Sequence, residues 1–175
     1  MSPVTEESKK SVEAYFPNDI FYDFKTLNVL QGQASKVTLE NIEVTQIPVH
    51  IKGGTVLPLR VEAAMTTKEL RKKDLELIVA PNAAGEAFGQ LYLDDGESLK
   101  SSWSFIKFVF KDQTLSWSGQ FGYTTDKIAR IKVLGVKEEP KGVNAGEISY
   151  DKSTSILEIS FGQPLNNASE VKFHN

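Results

Sequence analysis

The chain has 175 residues, forty per cent of them hydrophobic, with ten Phe, five Tyr and two Trp, so it can bury a sizeable core. Its 20 basic and 23 acidic residues leave a net charge of −3 and are scattered along the whole length, with no basic stripe to neutralise phosphates, which sets nucleic acid aside as a partner. It has no cysteine, and so no disulfide or thiolate metal site, and no apolar run approaches the ~20 residues that span a bilayer, so no membrane partner is expected.

In chain order, "MSPVTEESKK" is polar and of mixed charge and does not read as a signal peptide. "TEESKKSVEA" is one of two candidates for helix, on propensity alone. "KVTLENIEV" (Lys36–Val44) alternates apolar and polar residues as a strand does, with one slip of phase at Asn41. "QIPVHIKGGTVLPL" (Gln46–Leu59) carries two β-rich runs broken by Gly53-Gly54, a hairpin-type signal. Pro48 and Pro58 cannot donate to a ladder and mark strand ends or edges. In "AMTTKELRKK", Thr66 and Glu69 have capping-box spacing, but apolar residues are few, so a helical turn in a loop is expected. "LELIVAP" (Leu75–Pro81) is nearly continuous in its apolar residues, as in a strand covered on both faces. After the loop "NAAGEAFG" comes "QLYLDDGESL". Then follow "SFIKFVF", "TLSWSG", "IARIKVLGV", "EISY" and "ILEISF", each bounded by Gly, Asn, Asp, Pro or Ser. Short strands at regular spacing with turn punctuation indicate an all-β fold of the sandwich kind.

No constellation in these elements carries catalysis. Two carboxylates that act on one bond must flank it, roughly 5–10 Å apart. Adjacent strand residues such as Asp94 and Asp95 point to opposite faces instead. Asp95-Gly96 reads as a turn, with positive φ expected at both residues. His50, in "PVHIK", reads as a hydrogen-bonded strand residue, and His174 sits in a tail expected to fray. No cluster has metal-ligand spacing, so neither metal nor cofactor is expected. No serine lies in a nucleophile elbow, "KGGT" lacks the rest of a phosphate loop, and Glu138-Glu139 reads as a solvated turn. Trp103, Trp117, Phe121 and Tyr123 are the candidates for stacking on a sugar ring; core packing is the competing role for Trp117 and Phe121. Asn167-Ala168-Ser169 is a glycosylation acceptor pattern.

Four blocks, "VEAYFPNDIFYDF", "IPVHIKGGTVLPLR", "AMTTKELRKKDLELIVAP" and "GQLYLDDGES", occur in this order. Together they resemble the C-terminal part of glycoside hydrolase family 31, the α-glucosidases that include maltases and sucrase-isomaltase, and most closely its secreted fungal members. The resemblance is strong from Ser2 to Glu97. It continues more loosely through "IARIKVLGV" and "EISYDKSTSILEISF". It implies a (β/α)8 barrel that carries the reaction, followed by two small antiparallel β-sandwich domains in tandem. Residues 1–88 would be the proximal domain, with its first strand truncated, and residues 89–175 the distal one. The family's aspartate nucleophile and aspartate acid lie in barrel motifs that do not occur here, so no catalytic residue is assigned. Lys52 stands where the family usually carries the arginine of "RGG", and an ammonium cannot make the two parallel bonds of a guanidinium. The expected role is a non-catalytic part that braces the barrel of a secreted, glycosylated parent. That parent would cleave terminal α-glucosidic bonds through a covalent glycosyl-enzyme. The alternative is a stand-alone carbohydrate-binding module. Apolar surface left uncovered on the proximal half would favour self-association.

Overall fold

The computed structural model describes residues 1–123 and 127–174. In chain order its elements are β1 (Val12–Phe16), β2 (Ile20–Asp23), β3 (Val29–Gln31), β4 (Ser35–Leu39), β5 (His50–Lys52), β6 (Thr55–Arg60), α1 (Thr67–Leu70) and β7 (Leu75–Ala80). They continue with β8 (Ala87–Leu93), β9 (Ser104–Lys111), β10 (Thr114–Phe121), β11 (Lys127–Val133), β12 (Gly142–Val143), β13 (Glu147–Asp151), β14 (Ile156–Pro164) and β15 (Ser169–His174). The all-β fold follows from the alternating and β-branched runs.

Ten of the strands form one sheet in the order β12-β15-β10-β9-β8-β6-β7-β11-β14-β13. Its two halves face each other. Phe108 and Ile106 of β9, with Leu115 and Trp117 of β10, pack in one cluster with Leu77 and Val79 of β7, Ile131 of β11 and Ile159 of β14. Neighbouring strands run antiparallel except at β6–β8 and β7–β11, which are parallel. The β6–β8 pairing is the single rung Thr55↔Phe88. β8 stays close past that rung, a Cβ at Gly89 overlapping the Val56 carbonyl, and Pro58, which cannot donate, lies where no further rung forms.

β7 explains why its sequence is apolar at nearly every position. All six of its residues are buried. Leu75, Leu77 and Val79 face the sandwich core, while Ile78 and Ala80 face a second cluster with Tyr22, Ile51 and Leu134. That second cluster lies beneath a three-stranded sheet, β3-β2-β5. The Tyr22 hydroxyl donates to the Pro81 carbonyl at 2.8 Å, and burial pushes its pKa up to about 12. A separate two-stranded ribbon, β1–β4, presents Ala14 and Phe16 inward. Phe16 meets the Phe21 ring edge-on at 5.2 Å, which ties the ribbon to the small sheet.

Several local expectations resolve differently. "TEESKKSVEA" is not helical; β1 begins within it, at Val12. The helical turn at α1 does form, with Thr66 Oγ1 accepting from the Glu69 amide at 3.2 Å. Asn41 adopts φ +57 two residues past the end of β4, so the slip of phase is a break in the strand. Gly53-Gly54 does not turn a hairpin. β5 pairs with β2 and β6 with β7, so the glycines carry the chain from the small sheet to the large one. A Cβ at Gly53 would press on the Ile20 and Pro81 carbonyls at 3.0 Å, and Gly54 has φ +96. The division expected between residues 88 and 89 falls inside β8, and β7 is paired with β11, so a single sheet runs across it. His174 is held as the last residue of β15, opposite Gly142, where the expected tail would fray.

Candidate functional site

β8 and β9 form a hairpin in full register, from Ala87↔Phe110 to Leu93↔Ser104. Its mouth is the stretch 94–103, much longer than a two-residue turn. Asp95 shapes that loop: its Oδ1 accepts from the amides of Glu97 at 3.0 Å and Ser98 at 2.9 Å. The Ser98 side chain and amide, the Glu97 amide and the Arg71 charge hold the Asp95 carboxyl down to about 2. Gly96 has φ +71, whereas Asp95 is not among the positive-φ residues, so the expected pair of left-handed residues reduces to one. A side chain at Gly96 would also overlap the Arg71 guanidinium.

Three aromatic residues gather here. Tyr92 and Trp103 are 56% and 40% exposed, with ring centroids 6.3 Å apart and planes 22° from parallel. Partial desolvation, and after it the charge and hydrogen bond of Asp94, raise the pKa of the Tyr92 hydroxyl. Tyr123 is brought alongside by Ser104, a wholly buried residue. Ser104 Oγ donates to the Tyr123 carbonyl at 2.5 Å and accepts its amide at 2.9 Å, while the Gly122 amide donates to the Trp103 carbonyl at 3.1 Å. A groove of about 430 Å³ opens between this loop and the end of α1, lined by Lys68, Arg71, Lys72, Asp95, Glu97 and Tyr123.

The structure therefore joins Asp95, Gly96, Trp103 and Tyr123 and leaves the other candidates elsewhere. Trp117 is 3% exposed, lies edge-on to Phe161, and donates its indole N–H to the Asn167 carbonyl at 3.0 Å. It has no face to offer a ligand. Phe121 is half-buried against the same core. Asn167 stands in an exposed bend between β14 and β15. Lys52 pairs singly with Asp19 at 3.2 Å. His50 is nearly buried, edge-on to Phe16 at 4.8 Å and 3.9 Å from Asp23 Oδ2. Among the described residues, no three His, Asp or Glu side chains gather as a metal site would require, and no helix is long and apolar enough to cross a membrane. Chemically, the groove offers one aromatic side chain, Tyr123, with hydrogen-bonding groups and charges of both signs. Tyr92 and Ser104 escape notice in the sequence. Tyr92 looks like any outward strand residue, and one buried serine leaves no pattern.

Residues 1–57 match the profile described as the glycosyl hydrolase family 31 C-terminal domain. The chain is 48% identical over 178 residues to the "Probable alpha/beta-glucosidase" of Aspergillus clavatus, covering 98% of this chain and 20% of that protein. It is 37% identical over 167 residues to "Glucoamylase 1" of Schwanniomyces occidentalis, covering 90% and 17%. It thus spans about a fifth of the length of the curated relatives it matches. In fold it is similar to a crystal structure of glucosidase II alpha subunit, with TM-score 0.81, 22% identity, and 98% of this chain and 22% of that one covered. It is similar too to a Flavobacterium johnsoniae family 31 dextranase, with TM-score 0.72, 16% identity, and 99% and 25% covered.

Proposed function

The chain belongs to glycoside hydrolase family 31, of which it is a C-terminal, non-catalytic part, and we propose that it braces the catalytic barrel of an α-glucosidase. The parent would cleave terminal α-glucosidic bonds through a covalent glycosyl-enzyme, with both carboxylates supplied by the barrel. One observation supports this above the others: the first fifty residues do not bury a core of their own. Tyr15, Val29 and Ile47 are large apolar side chains left to solvent there, and Val44 is wholly exposed. Apolar surface of this kind is what a further domain would cover. The proximal part up to residue 88 and the distal part from residue 89 would act as one body, because β6 and β7 of the first lie in the sheet of the second.

Without its barrel the same surface would drive weak self-association. An extracellular parent carrying a glycan at Asn167 is in keeping with the exposed bend at that residue. A second reading, a stand-alone carbohydrate-binding module, is favoured by the exposed Tyr92–Trp103 pair.

Co-expression separates the readings. The Aspergillus clavatus relative, shortened to omit its matching fifth, is expected to be inactive alone, as is this chain. Together they should co-elute and hydrolyse maltose. A well-folded chain that never co-elutes with that partner would overturn the bracing role.

A further inference from the structure

We propose that the groove at the mouth of the β8–β9 hairpin is a binding subsite for a neutral α-glucan. The idea rests on the reading of the chain as part of an α-glucosidase, which supplies the ligand class. The site itself rests on geometry. A pyranose presents an apolar face of C–H bonds, which packs on an aromatic ring, and a rim of hydroxyls, which both donate and accept. Tyr92 and Trp103 hold nearly parallel planes with much of their surface in water, and Tyr123 lines the groove beside them.

The groove beside them is polar and carries both signs of charge. Lys68, Arg71 and Lys72 stand against Asp95 and Glu97 in the groove, with Asp94 adjoining at Tyr92. Three cations and two carboxylates line the groove, so both signs of charge are present. They supply donors and acceptors for vicinal hydroxyls. A volume of about 430 Å³ lies within the ~300–1,000 Å³ of small-ligand sites. The Asp95 carboxylate is already tied to the Glu97 and Ser98 amides, so the loop is preorganised in part.

The test is titration of the full chain with maltoheptaose, followed by ligand-observed NMR and calorimetry. Saturable binding with a Kd on the order of millimolar or tighter is expected. Trp103→Ala should weaken it by at least ~10-fold, and Tyr123→Ala and Arg71→Gln by several-fold. Tyr15→Ala, in the N-terminal lobe, should leave it unchanged. Near-ultraviolet circular dichroism from buried Trp117 reports that each variant stays folded. No saturable binding up to about 10 mM, or binding to folded Trp103→Ala and Tyr123→Ala that equals the wild type, would overturn the subsite. Intact co-assembly with the shortened relative alongside absent sugar binding would sink the subsite alone. Trp103-dependent binding with failed co-assembly would uphold the subsite and sink the bracing role.

Discussion

The N-terminal lobe, residues 12–52, and the sandwich that follows use the same pleated strands yet keep very different amounts of apolar surface from water. In the lobe, the buried hydrophobic side chains are Ala14, Phe16, Tyr22, Ile42 and Ile51, and the pairs that join its ribbon include the exposed Lys36–Glu13 bridge. Surface pairs of that kind are worth about 0–1 kcal/mol. In the sandwich, β7, β9, β10, β11 and β14 all bury side chains completely, each worth about 1.5–3 kcal/mol. The contrast teaches that hydrogen-bond ladders do not measure self-sufficiency: one region is a core, the other leaves Tyr15, Val29, Val44 and Ile47 to solvent.

Adjacent residues of β7 test that contrast most sharply. Leu77 is wholly buried in the large core and Ile78 nearly so in the small cluster. Leu77→Ala should cost about 4 kcal/mol and lower one cooperative transition of the whole chain, whereas Ile78→Ala should cost about 2 kcal/mol. After Ile78→Ala, trypsin should cut early at Lys25 and Lys36 while the sandwich survives. Equal effects on both regions would break the distinction.

How much of this was legible follows from what a local sequence can encode. "LELIVAP" revealed its two-sided burial because all its strand positions but the ion-paired Glu76 are apolar, and Thr66 revealed its cap because that contact spans three residues. Gly53-Gly54 looked like a hairpin because nothing local says that the strands on either side join different sheets. The parallel β7–β11 pairing joins residues some fifty positions apart and so leaves no local signal. The tight two-residue turn lies instead at Asp112-Gln113, both left-handed, with φ +49 and +58; Gln does not advertise that conformation. Of the candidate site, Trp103, Tyr123 and Asp95 stood out by residue type. Their gathering depends on Tyr92 and Ser104, which did not.

Smaller effects sharpen the same comparison. Gly96→Val should destabilise by about 1 kcal/mol, since a β-branched residue fits φ +71 badly and displaces Arg71; Asp94→Asn should change the denaturant midpoint far less. Gln113→Gly should stabilise the sandwich by about 0.5 kcal/mol, relief of left-handed strain outweighing the added freedom of the unfolded chain.

Acid should act on the lobe through His50. Burial lowers its pKa below the ordinary 6.5; the Asp23 charge opposes this in part and the N-terminal amine adds to it. The folded lobe therefore favours neutral imidazole. That contribution is complete above pH 6.5 and is lost as pH falls through the depressed folded value. Amide exchange in β2 and β5, corrected for intrinsic rate, should accelerate between pH 7 and pH 5 more than in β9, and His50→Gln should remove the difference. The least change in stability attends Asn167→Gln. Secreted from yeast, the wild-type chain should carry one glycan that this variant lacks, with both folding alike.

The central claim, a self-sufficient sandwich carrying a lobe that waits for a partner surface, is tested most directly by hydrogen exchange along the whole chain, alone and co-assembled with the barrel portion of the Aspergillus clavatus relative. Alone, the amides of β1 to β5 should exchange orders of magnitude faster than those of β7, β9 and β11, and co-assembly should slow β1 to β5 selectively. Protection of β1 to β5 equal to that of β9 in the isolated chain, unchanged by the partner, would contradict it.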